Sequence, residues 1–430
     1  MTIRILTCTA LAIAALLSAC GGGDDGPGPK TDTRVVRVAG DDQGDAGTFG
    51  FKFTVQDSAN PNGFPIFTEL VAASLKAPAL CNHYRGINGS VSFTTQTGCT
   101  SMAIAGSRIN FQPTLANQLR TLPLIGEVVN NAAPVGSPVD QVLNMLPGLG
   151  SVLANLPSLP LVGAVLAGVL QPIADQLPGA TAATTPLLVD NQLKAMATQG
   201  VNAQDLVILI AGSNDAADVA TAFLQASIDQ GIAFTTLMGS MGVTNTDRRA
   251  AGNEYMGKLA DKYFASINTH LLAKGATKIA ILNMPNVVQT PRLSQARATI
   301  QGAEAAVPML VEWVETYNNK LAANISGDKR FVQVDYRKLI NDAITDPNLL
   351  VTNSDTPACP STGTGTLDML PTYDLKSCTS GMLSSNPPEG QTSPDWWTRY
   401  FFADSTHPTP YLHNLLARGV NLELIRAGIL

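Results

Sequence analysis

The folded part of this chain opens with the stretch Val35-Val36-Arg37-Val38-Ala39-Gly40-Asp41-Asp42-Gln43-Gly44-Asp45-Ala46-Gly47. Its valine-rich beginning favours a buried β-strand. Gly40, Gly44 and Gly47 then give the backbone the freedom that a tight turn requires. A strand that runs into such a turn early in an α/β domain can display a nucleophilic side chain. The turn presents Asp42, at a point where this pattern leads us to expect a serine.

Further hydrophobic segments of strand length alternate with amphipathic segments along the rest of the chain. Strands are predicted at 100–106, 205–211, 278–283 and 331–335, and residues 48–56 are also β-prone. Helices are predicted at 64–76, 187–199, 216–230, 253–274, 295–323 and 411–427. This alternation predicts an α/β fold with a three-layer, doubly wound parallel sheet of the flavodoxin-like kind. Functional sites in such sheets lie at the carboxyl ends of the strands.

Length and composition agree with one large domain. The chain has 430 residues, of which 45% are hydrophobic and 14% are charged, and its formal net charge is −6. A sizeable core is therefore possible. The negative charge and the absence of a Lys/Arg-rich run argue against a nucleic-acid partner.

The first residues are typical of an export signal. Arg4 precedes a short apolar stretch, and Leu17-Ser18-Ala19-Cys20 places small residues before a cysteine, similar to the lipobox of bacterial lipoproteins. We therefore expect a signal peptide at 1–19, a lipid anchor on Cys20, a flexible tether over 20–33 and the folded domain at 34–430. The protein would be an exported lipoprotein held at the outer membrane or cell envelope. The alternative is an ordinary cleaved signal with an incidental cysteine.

Four further cysteines form two local pairs, Cys81 with Cys99 and Cys359 with Cys378. An exported protein meets an oxidising compartment, so we expect two disulfides. The alternative, a metal site, is disfavoured because neither pair has CxxC spacing and no histidine cluster accompanies it. We expect no metal and no cofactor.

The segment 111–183 is rich in Leu, Val, Ala, Pro and Gly and nearly free of charge. Its longest apolar run is too short to span a bilayer, and prolines interrupt the region. We interpret it as short helices that form an apolar cap inserted into the domain. Two roles stay open: a lid that gates an apolar substrate, or additional core or dimerisation surface.

Residues with catalytic chemistry follow several of the predicted strands. Asp404 precedes His407 by three residues, a spacing that lets a carboxylate orient an imidazole and stabilise its protonated form. Asn214 follows the strand at 205–211, where it either caps a helix or donates its amide to an oxyanion. Gly106 is either a turn residue or a backbone N–H donor to the same oxyanion. The other histidines, His83, His270 and His413, have no evident catalytic partner in the sequence.

Together these blocks resemble the SGNH/GDSL hydrolase family of esterases and lipases, whose motifs occur in the same order. The resemblance rests on Gly40-Asp41-Asp42-Gln43-Gly44-Asp45-Ala46-Gly47, on Gly106, on Gly212-Ser213-Asn214-Asp215 and on Asp404-Ser405-Thr406-His407. It implies that His407 is the catalytic base, that Asp404 orients it, and that Gly106 and Asn214 form the oxyanion hole. The family's nucleophilic serine corresponds to Asp42, and its following leucine corresponds to Gln43. The apolar insertion departs from the compact core of the family.

Three interpretations of Asp42 follow. The first is loss of ester hydrolysis, because attack of a carboxylate on an ester gives a mixed anhydride that is higher in energy than the ester. The chain would then be an impaired hydrolase or a non-catalytic binding protein for apolar acyl ligands. The second is catalysis by a nucleophilic Asp42 that attacks saturated carbon. The third is that Asp42 acts as a base for water, or that Thr48 or Ser107 replaces the missing hydroxyl. In each case we expect Asp42 to raise the pKa of His407, and Asp41 to oppose ionisation of Asp42.

The sequence therefore predicts an SGNH/GDSL-type hydrolase that acts on ester bonds of lipid-like or acyl ester substrates, with its activity dependent on what Asp42 can do. The predicted partners are a small ester or lipid substrate and, through the N-terminal anchor, a membrane.

Overall fold

A computed structural model describes residues 35–86, 93–111, 185–224, 231–285, 287–364 and 370–430. The predicted signal peptide, Cys20, the tether and all of the apolar insertion after residue 111 lie outside the described residues. Within the described ranges, no helix combines the length and the apolar composition needed to cross a membrane.

The described chain alternates short strands with helices. The strands are β1 (Val36–Gly40), β2 (Tyr84–Gly86), β3 (Phe93–Thr95), β4 (Leu206–Ile210), β5 (Ile279–Leu282), β6 (Phe331–Val334), β7 (Gly363–Thr364) and β8 (Pro371–Thr372). The helices are α1 (Phe67–Ser74), α2 (Val189–Gln199), α3 (Ser213–Leu224), α4 (Ile232–Ser240), α5 (Arg248–His270), α6 (Pro291–Thr299), α7 (Ala303–Ile325), α8 (Tyr336–Thr345), α9 (Ser380–Ser385) and α10 (Pro410–Arg426).

The central sheet is parallel, with the strand order β1-β4-β5-β6. The predicted strand at 100–106 runs beside β1 on its outer edge, where Met102 N–H donates to Val38 O at 2.7 Å and Ile104 N–H donates to Gly40 O at 3.1 Å. Its bridge pairings are confined to Ser101, which pairs with Val38 on one side and Asn82 on the other, so the segment is too short to count as a full strand. With this segment included, the order has the flavodoxin-like form, with the second strand outside the first.

The sheet separates two hydrophobic cores, because alternate residues of a strand point to opposite faces. Ala39 and Leu209 belong to the core shared with α2, α5 and α7, whereas Val38 and Ile208 belong to the core shared with α1, α8 and α10. Both faces are therefore covered by helices, which explains why the strand sequences are hydrophobic throughout rather than alternating. The predicted three-layer α/β fold is confirmed.

Two predicted elements differ from the structure. Residues 48–56 form turns rather than a strand, because Gly47 and Gly50 take φ of 116° and 82° and the Gly50 N–H closes a turn on Gly47 O. The predicted helix at 295–323 is two helices, α6 and α7. Gly302 separates them with φ of 86°, a conformation that no α-helix contains.

Both predicted disulfides are present. Cys81 is bonded to Cys99 and Cys359 to Cys378, with Cα–Cα distances of 4.9 and 5.7 Å. The first lies next to the segment beside β1, since Ser101 N–H donates to Cys81 O. The second lies in a small third core with the following buried aromatic residues: Trp396, Trp397 and Tyr400.

Candidate active site

The turn after β1 places Asp42 at the carboxyl end of the sheet. Gly40 ends the strand with φ of 141°, and a Cβ atom there would lie 1.6 Å from Ile210 O. Only glycine allows this close approach to β4. Asp41 then caps a single 3-10 turn, Asp42–Gly44, by accepting from Gln43 N–H. The local sequence therefore directs the Asp42 side chain into the space beyond the strand ends.

Two donors from separate parts of the chain converge on the Asp42 carboxylate. The N–H of Gly106 donates to Oδ1 at 3.0 Å, and Nδ2 of Asn214 donates to Oδ2 at 2.6 Å. Gly106 has φ of 81°, and Asn214 lies in the first turn of α3, directly after β4. The structure thus brings together the two groups that the sequence predicts for an oxyanion hole, and both donate to Asp42 itself.

His407 lies between two carboxylates. Its Nδ1 is 2.7 Å from Asp404 Oδ2, and its Nε2 is 3.5 Å from Asp42 Oδ1. Asp404 also accepts from the backbone N–H groups of Thr406 and His407, which holds the carboxylate in place. The Phe53 ring packs beside the imidazole, with the centroids 5.1 Å apart. The predicted Asp404–His407 pair is therefore formed, and it faces Asp42.

These contacts determine the charges of the site. Burial alone raises the pKa of Asp42, but the hydrogen bond and charge of His407, together with the Asn214 amide, hold it below its usual range. Burial alone lowers the pKa of His407, but Asp404 and then Asp42 raise it to about 10. The expected rise at His407 is confirmed. Burial and the charge of Asp42 hold the pKa of Asp41 well above its usual range, so the proton of this acidic pair resides on Asp41.

Two further buried carboxylates hold the loop that carries Gly106. Asp45 accepts from the N–H groups of Gly47, Thr48 and Ala105, and Asp215 accepts from those of Ile109 and Asn110. Burial raises the pKa of each to about 6, although the backbone N–H groups oppose that rise. The sequence motifs contain both residues, but their spacing does not reveal this function.

Gln192 and Arg108 also support the loop, and sequence reasoning missed both. The fully buried amide of Gln192 accepts from Gly40 N–H at 2.8 Å and donates to Ser107 Oγ at 2.7 Å. Arg108 donates to Gly106 O at 2.6 Å and forms an ion pair with Asp218. Their partners are remote in sequence or lie in the backbone, so no local pattern could have identified them.

A cavity of about 630 Å³ opens beside Asp42 and His407. Its inner wall is mainly apolar and is formed by α3, α6 and α7, with contributions from the following side chains: Val219, Leu224, Met256, Met284, Leu293, Ala296, Leu310, Trp313 and Val314. Its volume suits a small organic ligand, and such sites typically combine apolar walls with a few convergent polar groups.

The remaining candidates lie elsewhere. Thr48 and Ser107 are buried; Thr48 Oγ1 donates to Ala103 O and Ser107 Oγ accepts from Gln192, so neither hydroxyl lines the cavity. His83 has partners that the sequence did not indicate, Gln96 O and the Gln199 amide. The following two histidines also lie outside the cavity lining: His270, which pairs with Asp190, and His413, which is buried against Phe67.

Among the described residues, no group of three or more His, Cys, Asp or Glu side chains is arranged to hold a metal ion. A comparison with curated proteins found no match. A family model described as GDSL-like Lipase/Acylhydrolase matches residues 128–420, which include Asn214, Asp404 and His407 and begin after Asp42 and Gly106. Because this match covers more than half of the 430 residues, the chain belongs to the GDSL-like lipase/acylhydrolase family.

Proposed function

We propose that the chain binds esters with an apolar acyl group in the cavity beside Asp42, and that Asp42 keeps their hydrolysis slow. The family supports acylhydrolase activity in general. The apolar walls of the cavity support an acyl ligand, because burial of each CH₂ group in such walls is favourable by about 0.8 kcal/mol.

The observation that carries the proposal is the position of the Asp42 oxygens. Gly106 N–H and Asn214 Nδ2 donate to them, and these are the donors that would otherwise stabilise the oxyanion of a reacting ester. We assign Asp42 to the position of the family's nucleophilic serine on this ground. A carboxylate there supplies no hydroxyl for an acyl-enzyme, and it occupies the donors that the ester would need.

The charge of His407 strengthens the inhibition. Flanked by Asp404 and Asp42, its imidazole holds a proton at neutral pH and cannot accept another from a nucleophile. A neutral hydroxyl at position 42 would remove one of the two carboxylates. The same substitution would supply the nucleophile and free the oxyanion donors.

The test is the rate of 4-nitrophenyl butyrate hydrolysis by the purified mature protein and its Asp42→Ser variant. We expect kcat/KM to rise by at least about 100-fold, since removing the nucleophile from a working triad costs about 10⁶-fold and a restored site recovers only part of that. Asp42→Asn, which removes the charge without adding a nucleophile, should stay slow. His407→Gln in the Asp42→Ser background should abolish the gain, and exposed Asp355→Ser should leave the rate unchanged. An Asp42→Ser protein no faster than the original chain would disprove the assignment.

A second candidate is binding of apolar acyl ligands without turnover. The hydrogen bonds of Asp42 favour this candidate. Gly106 and Asn214 bind the carboxylate rather than a ligand, and the apolar cavity beside them stays open. Saturable binding of a non-hydrolysable alkyl ether, with no His407-dependent turnover of any ester in an acyl-chain panel, would support this candidate over the slow hydrolase.

We also propose that the protein is exported and anchored through a lipid on Cys20, as the first twenty residues predict. The two disulfides support an extracellular or envelope location. Metabolic labelling of the full-length chain in a bacterial host with an alkyne-tagged fatty acid tests this. We expect Cys20→Ser to lose the label and Cys8→Ser to keep it; equal labelling of the two variants would refute the anchor.

A further inference from the structure

The two oxyanion donors of this site form hydrogen bonds to a carboxyl group of the protein itself, that of Asp42. Gly106 N–H lies 3.0 Å from one oxygen of Asp42, and Asn214 Nδ2 lies 2.6 Å from the other. Donors in such positions stabilise negative charge that develops on oxygens bonded to Cγ of Asp42. They would therefore assist a reaction in which Cγ of Asp42 becomes tetrahedral, as it does when an ester of this side chain is hydrolysed.

Asp42 is also placed to form such an ester. Its side chain is 16% exposed and lines the apolar cavity, and its carboxyl group is held in the ionised form. Oδ1 has the longer contacts, since it accepts from Gly106 N–H at 3.0 Å and lies 3.5 Å from His407 Nε2, whereas Oδ2 is held by Asn214 at 2.6 Å. A carboxylate is a poor nucleophile toward ester carbonyls but a competent one toward saturated carbon.

We propose that this site hydrolyses primary alkyl electrophiles whose leaving groups depart as stable anions, such as haloalkanes and alkyl sulfonates, through a covalent alkyl ester of Asp42. In the first step, Oδ1 attacks the saturated carbon, the new O–C bond forms, and the carbon–leaving group bond breaks with its electron pair on the departing anion. The alkyl chain lies in the apolar cavity. This step needs neither an acid nor a metal, and it does not depend on the proposed binding of acyl esters.

Water completes the cycle in the second step. Alkylation cancels the charge of Asp42, which weakens the hold on the His407 proton, and the imidazole loses that proton to solvent. Water then adds to Cγ and gives a proton to His407 Nε2, while Asn214 donates to the oxyanion on Oδ2. Collapse of this intermediate expels the alkoxide, which takes the proton from His407 and leaves as an alcohol. The carboxylic acid left on Asp42 then gives its proton to His407, which restores the starting charges. The sum is alkyl electrophile plus water giving alcohol, the free anion and one proton.

The first experiment uses the unmodified mature protein and needs no variant. A single turnover with 1-iodohexane in ¹⁸O-labelled water should place ¹⁸O in the tryptic peptide 38–52, at Asp42 rather than Asp41 or Asp45. The first molecule of hexanol should carry unlabelled oxygen taken from Asp42. Label in that first hexanol with none in the peptide would mean direct attack by water and would overturn the proposal.

The second experiment traps the intermediate. In His407→Gln, peptide 38–52 should gain the mass of one hexyl group at Asp42, whereas His270→Gln, altered at a histidine outside the cavity, should turn over without accumulating it. Asp42→Asn should form no adduct. Asn214→Ala should slow adduct hydrolysis by about 10²- to 10³-fold, the effect of losing one oxyanion donor. Absence of the adduct from His407→Gln would refute this proposal of alkyl transfer to Asp42. The proposed function would still be decided separately, by the ester assay on Asp42→Ser.

Discussion

The pKa of His407 provides the sharpest test of the site's electrostatics, through the substitution Asp42→Asn. Asn has nearly the shape of Asp but no charge, so it removes one of the two carboxylates that flank the imidazole. The structure places Asp42 Oδ1 3.5 Å from His407 Nε2, and it leaves Asp404 Oδ2 2.7 Å from Nδ1. Only the first of these interactions changes in the variant.

The size of the effect follows from that distance. Two unit charges 3.5 Å apart attract each other by about 4.7 kcal/mol at an effective dielectric constant of about 20. Since 1.36 kcal/mol corresponds to one pH unit, this interaction energy equals about 3.5 pH units at most, and partial exposure of both side chains reduces the shift. We therefore expect the pKa of His407 to fall from about 10 to about 7 or 8.

The measurement is an NMR titration of ¹³C-labelled histidine from pH 5 to pH 11. The chain has four histidines, so His407→Gln assigns the relevant resonance. His413 is an internal control: burial, with Lys52 and His407 nearby, lowers its pKa to about 3, and its resonance should not shift in this range. A His407 midpoint that stays near pH 10 in Asp42→Asn would show that Asp404 alone sets the pKa and that Asp42 does not interact with the imidazole.

The same shift predicts a change in the pH dependence of stability. A histidine whose pKa is raised in the folded state stabilises that state fully below its ordinary pKa of 6.5, and this contribution is lost as the pH rises through the folded pKa. The original chain should therefore lose free energy of unfolding up to about pH 10. The loss from His407 in Asp42→Asn should be complete by about pH 8, which denaturant titrations at intervals of one pH unit would detect.

Two substitutions test the scaffold by denaturant unfolding. Gly40→Ala should lower the free energy of unfolding by at least about 3 kcal/mol, because its Cβ would lie 1.6 Å from Ile210 O at a φ of 141°. The control Gly50→Ala has open space around it and should lower the free energy by about 1 to 2 kcal/mol. Equal losses would refute the steric argument. Gln192→Leu should lower the free energy of unfolding by about 2 kcal/mol or more, because it leaves buried polar groups of Gly40 and Ser107 without the amide. The control Lys194→Leu, at an exposed position on the same helix, should be nearly neutral. A neutral Gln192→Leu would mean that other groups satisfy these atoms.

The central sheet was predictable because its signal is local. The hydrophobic segments at 205–211 and 278–283 are short, end in turn residues and alternate with helices, so the parallel arrangement followed from general rules. The errors occurred where backbone conformation overrides side-chain preference. The aromatic residues at 48–56 favour a strand, but positive φ at Gly47 and Gly50 turns the chain instead. Gly302 divides the predicted long helix for the same reason.

The arrangement of the candidate site was predictable only as far as motif order allowed. The Asp404–His407 spacing correctly predicted that a carboxylate reaches Nδ1, because the contact spans three residues and depends on one turn. The role of Gln192 was not predictable, since its amide reaches Gly40 across 152 residues and is specified only by the packing of α2 on β1. Contacts of this kind depend on the assembled fold, and no local periodicity encodes them.

The structure also changes the meaning of Asp42. From the sequence, an aspartate at this turn is a missing serine in an otherwise complete set of residues. In the structure, its two oxygens take the positions that the donors Gly106 and Asn214 would offer to an oxyanion, and Asp404 and Asp42 together raise the pKa of His407 to about 10. A serine side chain has a single oxygen, so it could not accept from the two donors on separate oxygens as the carboxylate does. On the proposed assignment of Asp42 to the serine position, this one residue removes the hydroxyl nucleophile for esters, occupies the oxyanion donors and keeps the base protonated, so Asp42→Ser should restore three catalytic elements together.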